Sequence, residues 1–104
     1  MSRRTTFVAI AALVLLGATA VSAQTDYEAV EITVTEVADG VYMLAGAGGN
    51  IGLSIGTDGP FVIDDQFAPL TEKIKKAIGS LTDRQVRFVL NTHWHGDHTG
   101  GNEN

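Results

Sequence analysis

The sequence has no cysteine among its 104 residues, which excludes a disulfide framework, a thiolate metal site and a cysteine nucleophile. Basic residues are also few, with 7 Lys+Arg against 12 Asp+Glu. The chain therefore lacks the basic surface on which nucleic-acid binding depends, and no nucleic-acid partner is expected. Only 2 residues are proline while 44% are hydrophobic, which excludes a disordered chain. The composition predicts at most one globular domain.

The first 23 residues have the order of a secretory signal peptide. Arg3 and Arg4 precede an apolar run over residues 7–16, and small residues lead to Ala23, where we place the cleavage. A membrane anchor is the alternative, but a spanning helix needs roughly 18 or more consecutive apolar residues. The second half of the uncharged stretch is mostly small or hydroxylated. We therefore expect a periplasmic or secreted protein with no stable membrane anchor after cleavage.

The segment after the signal peptide predicts a sheet. Residues 24–29 form a polar lead-in without periodicity, and from Val30 apolar and polar residues alternate, which predicts a half-buried strand. Further strands are predicted at residues 41–45, 51–55, 61–64 and 86–90.

One amphipathic helix of about three turns is predicted after Pro69, from the spacing of apolar residues between Leu70 and Leu81. The lysines of this helix, at positions 73, 75 and 76, are expected on a solvated face. A helix between two strands permits a locally parallel pair. One helix can cover only one face of the sheet.

All three histidines of the chain lie within residues 93–98, His-Trp-His-Gly-Asp-His. In extended backbone His93 and His95 point the same way and can reach one metal ion. Asp97 and His98 follow a glycine that permits a sharp turn, so they can face the same cavity. Imidazole with carboxylate is a ligand set of zinc and iron rather than of calcium or magnesium. A polar loop with incidental histidines is the alternative.

The ten residues 92–101, THWHGDHTGG, resemble the metal-binding signature T-H-x-H-x-D-H-x-G-G of the metallo-β-lactamase superfamily. The preceding segments are similar to the opening strands of that fold, and the resemblance covers residues 34–104. It implies a mixed α/β (α+β) fold over residues 30–104, the N-terminal half of an αβ/βα sandwich with the metals at one edge.

The resemblance also implies roles for individual residues. His93 and His95 would bind a first metal ion, and Asp97 and His98 a second. Two Zn²⁺ ions are expected in the complete enzyme, with iron as an alternative. Asp97 is the expected catalytic residue, because it is a ligand that can also orient the metal-bound hydroxide. His98 and the absence of cysteine disfavour the lactamase branch that places a cysteine in the second site.

Several residues close to the candidate ligands also have expected roles. Asp64 matches an acid that steadies the site without binding metal, although an aspartate capping a turn at the end of a strand is an equal alternative. Asp65 has no counterpart in the family pattern. Trp94 is expected to point away from the metals and to pack on the next layer rather than line a substrate pocket. Gly100 and Gly101 are expected to let a following helix begin close to the site.

The family's second half supplies further ligands that residues 1–104 do not contain, so we expect a fragment or truncated product with little or no activity. The parent function implied is an exported metal-dependent hydrolase, with a β-lactam, a lactone or another ester or amide as its small-molecule substrate. A glyoxalase II-like thioester hydrolase and an iron persulfide dioxygenase share the signature. A truncated remnant that at most binds metal is the non-enzymatic alternative.

Overall fold

A computed structural model describes residues 23–104, and the predicted signal segment lies outside these residues except for Ala23. The described chain is a mixed α/β structure built on one five-stranded sheet. Its strands are β1 (Thr33–Ala38), β2 (Val41–Ala45), β3 (Ile51–Gly56), β4 (Gly59–Ile63) and β5 (Phe88–Leu90). Its helices are α1 (Thr71–Gly79), which a 3-10 turn (Ala68–Leu70) precedes, and the one-turn α2 (Gly96–Thr99).

The strands lie in sequence order across the sheet. Strands β1 to β4 form an antiparallel meander, whereas β4 and β5 pair in parallel, with Phe61 opposite Phe88 and Ile63 opposite Leu90. Parallel neighbours need a crossover connection, and α1 provides it. The parallel pair predicted from the order of elements is confirmed. At the β1–β2 turn Gly40 has a φ of 70°, a conformation that glycine adopts without steric cost.

The core lies between α1 and one face of the sheet. Leu44, Leu53 and Val62 of the sheet are buried with Ile74 and Ile78 of the helix. Because side chains alternate along a strand, the residues flanking Val62 point to the other face. That face leaves large apolar side chains open, at Ile63, Phe88 and Leu90. Within the described residues α1 covers a single face, as expected.

The predicted elements are right in type and differ in their ends. The helix is shorter than three full turns, because Pro69 lies in the 3-10 turn and Leu81 follows the helix end at Gly79. β5 begins at Phe88 rather than Val86. No helix in residues 23–104 has both the length and the apolar character that a membrane span requires.

The prediction for β1 was wrong in two respects. The strand begins at Thr33 rather than Val30, after a turn over residues 27–29. The strand itself is exposed along its length, so the predicted half-buried face is confirmed only at Val30 and Ile32, which precede the strand and pack partly buried against the core. The exposure follows from its place at the edge of the sheet, where it has one neighbouring strand only. The start at Thr33 follows from the register, because Thr33 pairs with Ala45, the last residue of β2.

The prediction for the lysines was wrong at Lys73. Its ammonium group donates hydrogen bonds to the carbonyl oxygens of Tyr27, Glu28 and Val30, at 3.0, 2.7 and 2.8 Å. The lead-in turn exposes three carbonyls in one direction, and an ammonium with three donors satisfies them together. Lys73 therefore attaches the lead-in to α1 instead of lying free in solvent.

Candidate metal centre

The histidine motif lies after β5, where the chain bends and then enters α2. His95 is the N-cap of α2 in extended backbone, with φ −62° and ψ 146°. The sharp turn expected at Gly96 is absent, since Gly96 is the first helical residue and its φ is not positive. The change from extended backbone at His95 to helix at Gly96 is what turns Asp97 and His98 toward the preceding histidines.

Four donors of the motif come close together. Nε2 of His93 lies 3.0 Å from Nδ1 of His95, and Nε2 of His98 lies 3.4 Å from Oδ2 of Asp97. Ligand atoms of His93, Asp97 and His98 also lie within 4.8 Å of one another. The pair His93 and His95 and the pair Asp97 and His98, which the resemblance assigns to two metal ions, therefore lie side by side. His93 is close to His95 and also to the second pair.

Asp64 joins this cluster from the end of β4. Its side chain is buried, with 4% of it exposed. Oδ2 accepts hydrogen bonds from Nδ1 of His98 and from the hydroxyl of Thr92, both at 2.7 Å, and Oδ1 accepts one from the Thr92 amide at 2.8 Å. The alternative of a simple turn cap does not describe these contacts, which reach 34 and 28 residues along the chain.

The hydrogen-bond network around Asp64 determines which imidazole nitrogens carry a proton. His98 must carry its proton on Nδ1 to donate to Asp64, so its Nε2 lone pair is available. Thr92 has one hydroxyl hydrogen and gives it to Asp64, so the 2.9 Å contact between Thr92 Oγ1 and His93 Nδ1 requires the proton on Nδ1 of His93. Asp64 therefore favours, directly and through Thr92, the tautomers in which both Nε2 atoms can bind a metal.

The electrostatics of Asp64 favour its charged form. Burial opposes ionisation, but the hydrogen bonds from His98 and from the backbone and side chain of Thr92 outweigh that effect, and the pKa of Asp64 is lowered. A carboxylate that stays ionised accepts hydrogen bonds and donates none. It therefore keeps the Nδ1 protons of the network in place at neutral pH.

A glycine pair packs directly on the cluster from the loop between β2 and β3. The amide of Gly49 donates a hydrogen bond of 3.2 Å to Oδ2 of Asp97. A Cβ atom at Gly48 would lie 2.8 Å from Cβ of Asp97, and one at Gly49 would lie 2.6 Å from Nε2 of His98. Gly48 also has a φ of 85°. No other residue fits at either position without moving a candidate ligand.

Asp65 points away from the cluster. It is buried, and its Oδ1 accepts a hydrogen bond of 3.0 Å from the Gly101 amide. It lines a groove of about 640 Å³ beside the apolar side chains of Val62, Ile74 and Val89. Burial raises the pKa of Asp65, the Gly101 hydrogen bond opposes this, and the nearby charge of Asp64 raises the pKa further.

The two glycines that end the motif lie close to another segment of backbone. A Cβ at Gly100 would lie 2.7 Å from the carbonyl oxygen of Gln66, and one at Gly101 would lie 3.0 Å from that of Asp65. They allow the motif to approach the backbone of residues 65–66 closely. The expectation that they let a following helix begin close to the site stays a prediction.

Trp94 does not pack within the described chain. Its side chain is 82% exposed, and its ring meets the ring of His95 edge-on, with 4.7 Å between the centroids. The expected packing of Trp94 on a further layer is therefore not present among residues 23–104.

The donors present fit a zinc or iron ion. Two nitrogens bound to one zinc ion at about 2.0–2.1 Å in tetrahedral geometry lie roughly 3.3 Å apart, close to the 3.0 Å between His93 and His95. The inferred tautomers leave Nε2 of His93 and His98 without a proton, as a metal ligand requires. Nδ1 of His95 then donates the 3.0 Å hydrogen bond to Nε2 of His93, and it would release that proton on binding a metal ion. A donor set dominated by imidazole nitrogens is unsuited to calcium or magnesium, which prefer ligands that are all oxygen.

Three features of the site were not predicted from the sequence. Thr92 joins Asp64 to His93, the glycine pair packs on the candidate ligands, and Gln66 lies next to the glycine pair. Gln66 is fully buried, and its side-chain amide donates to the carbonyl of Gly49. The glycine-rich composition of residues 46–49 is a visible signal, but glycines in a cluster are typical of any loop and do not indicate a support for a metal site. Nothing in the local sequence marks Gln66, whose contact with Gly49 depends on the register of the sheet.

Comparison with known proteins agrees with the geometry. A search of curated proteins found no match. The family model of the metallo-beta-lactamase superfamily matches residues 45–104, which is more than half of the chain and includes the glycine pair, Asp64 and all four candidate ligands. The matched segment and the clustered histidines lead to the same conclusion, and the chain belongs to the metallo-beta-lactamase superfamily.

Proposed function

We propose that this chain is the metal-binding part of an exported metal-dependent hydrolase whose complete site holds two zinc ions. The substrate class is a β-lactam, a lactone or another ester or amide. One observation carries the proposal, namely the Asp64-centred network that leaves Nε2 of His93 and His98 unprotonated beside Asp97. Zinc bound at such donors would acidify a water molecule and polarise the substrate oxygen.

Asp97 is the residue best placed to act on the water. Its Oδ2 faces the Gly49 amide and Nε2 of His98. None of the hydrogen bonds formed by the described residues uses its Oδ1. The side chain is 31% exposed, so solvent reaches it. We assign to Oδ1 of Asp97 the orientation of the attacking water and the acceptance of its proton.

The four ligands in this chain supply two donors for each of two ions. A catalytic zinc site normally has three protein ligands, and the chain has no histidine beyond the three in the motif. We therefore expect residues 1–104 alone to bind zinc weakly and to hydrolyse little or nothing. Sequencing the gene beyond the codon for Asn104 tests this point, since we expect the frame to encode two more histidines and an aspartate.

The experiment for the function is a metal count and a set of assays on the full gene product. We expect two zinc ions per chain and zinc-dependent hydrolysis of nitrocefin or of a lactone. Hydrolysis should be lost in Asp97→Asn and kept in the control Asp65→Asn. One iron with thiol-dependent oxygen consumption would contradict the proposal in favour of a persulfide dioxygenase. Preferential thioester cleavage would indicate the glyoxalase II-like alternative, and bound metal without turnover a non-catalytic remnant.

Export is a separate part of the proposal, and it depends on residues 1–23. We expect the protein outside the cytoplasm to begin at Gln24. Mass spectrometry of the intact protein from a periplasmic extract tests this, and an uncleaved N-terminus in the membrane fraction would contradict it.

A further inference from the structure

Gln66 is an unusual residue to find beside this site. It is fully buried, and its backbone has a φ of 57°, a left-handed conformation that costs a residue other than glycine free energy. It lies two residues after Asp64, which has a φ of 62°. A buried amide in unfavourable backbone persists only where the surrounding structure holds it.

The side chain of Gln66 contacts Gly49, the second residue of the glycine pair. Its Nε2 donates to the carbonyl oxygen of Gly49. Its Oε1 is buried without a hydrogen-bond partner and lies 2.7 Å from where a Cβ of Gly46 would be. Rotating the amide by half a turn would place that oxygen against the Gly49 carbonyl, so the orientation of the donor is fixed.

Gly49 transmits this contact to the ligands. Its carbonyl accepts from Gln66, its amide donates to Oδ2 of Asp97, and a Cβ added to it would meet the ring of His98. Gly49 is thus held at its carbonyl by a buried side chain and contacts two of the four candidate ligands. No hydrogen bond among the described residues joins Gln66 to a ligand directly.

We propose that Gln66 is a positioning residue of the metal centre, which acts through Gly49 to fix Asp97 and His98. The inference rests on the proposed metal site, but the contact with Gly49 exists without metal. Loss of the Gln66 donor should free the glycine loop, and the amide of Gly49 should leave Asp97. Supporting residues that orient ligands in this way typically change metal affinity about 10–100-fold.

The test compares the full chain with Gln66→Met, which keeps the length of the side chain and removes its donor. The control is Ile78→Val, which loosens the core on α1 away from the glycine loop. Two quantities are measured under folding conditions, the hydrogen exchange of the Gly49 amide by NMR and the affinity for Co²⁺ from its visible absorption.

We expect Gln66→Met to raise the exchange rate of the Gly49 amide and to weaken Co²⁺ binding at least about 10-fold, while Ile78→Val changes neither. Unchanged Gly49 exchange in Gln66→Met would overturn the positioning role. Equal loss of affinity in both variants would also overturn it, because the effect would then be one of stability. If the wild-type chain binds no Co²⁺, the metal site itself fails, and the Gly49 exchange still decides the role of Gln66.

Discussion

Oδ2 of Asp64 lies 2.7 Å from Nδ1 of His98, and the two residues are 34 positions apart in the sequence. The contact joins the end of β4 to α2 and determines which nitrogen of His98 carries the proton. Through Thr92 the same carboxylate oxygen determines the tautomer of His93. A residue that we do not assign as a ligand therefore prepares two of the four candidate ligands.

Replacing Asp64 with asparagine should weaken metal binding about 10–100-fold. An amide NH₂ in place of Oδ2 would face Nδ1 of His98 and favour the tautomer with the proton on Nε2, which cannot ligate. Zinc affinity measured by competition with a chelator checks this. Asp65→Asn is the matched control, and it should change zinc affinity less than about 2-fold, since the side chain of Asp65 contacts Gly101 and only its backbone amide, which the substitution keeps, bonds to His98. Equal affinities for the two variants would contradict the role of Asp64.

The two neighbouring aspartates should affect stability with opposite dependence on pH. The pKa of Asp65 is raised on folding, so its favourable contribution is complete below the unfolded pKa of about 3.9 and is lost as the pH rises through the folded pKa. The pKa of Asp64 is lowered, so its contribution is present above about 3.9 and is lost as the pH falls through the folded pKa.

Asp65→Asn should therefore be more stable than the wild type at neutral pH, and its advantage should shrink as the pH approaches about 4. Urea unfolding of metal-free protein at a series of pH values measures the free energy of unfolding of both chains. A constant difference between them from about pH 4 to pH 7 would show that Asp65 titrates normally.

The glycines of the site should differ sharply in their tolerance of a side chain. Gly49→Ala places a methyl group against the ring of His98. Because this methyl group would displace a candidate ligand, we expect the zinc affinity of the variant to be lower than that of the wild type. Gly96→Ala is the control, because a Cβ there meets no atom within 4 Å and the residue lies in α2. Gly96→Ala should be neutral or stabilising by up to about 1 kcal/mol. The interpretation of the glycine pair is wrong if Gly49→Ala binds zinc as well as Gly96→Ala does.

Lys73→Met should release the lead-in from α1 and lower the free energy of unfolding by about 1–3 kcal/mol, because three carbonyls lose a charged donor. Limited proteolysis should then cut within residues 24–32 faster than in the wild type. Lys76→Met, on the same helix and exposed, should stay within about 0.5 kcal/mol. Identical proteolysis of the two variants would contradict the attachment.

The local parts of this structure could be predicted from the sequence, and the long-range parts could not. Alternation along the strands and the helical spacing after Pro69 depend on neighbours in the chain, so the order and type of the five strands and of α1 were predicted correctly, whereas the one-turn α2 was not predicted. The metal motif is equally local, because all its donors lie within residues 93–98.

What escaped prediction depends on contacts between distant segments. Lys73 reaches back 46 residues to Tyr27, and the Gly49 amide meets Asp97 across 48 residues. Whether a lysine is solvated or a glycine is essential is decided by the register of the sheet and the placement of α1, neither of which is visible locally. The exposure of β1 likewise follows from its edge position rather than from its alternating sequence.

The most direct test of the metal centre is long-range ¹H–¹⁵N NMR of the three imidazoles in the full chain, before and after zinc is added. We predict the proton on Nδ1 of His93 and His98 in the metal-free chain. Zinc should then shift the Nε2 resonances of these two residues and the Nδ1 resonance of His95. Protons on Nε2 of His93 and His98, or imidazole resonances that zinc leaves unchanged, would contradict the metal site that we infer from the Asp64 network.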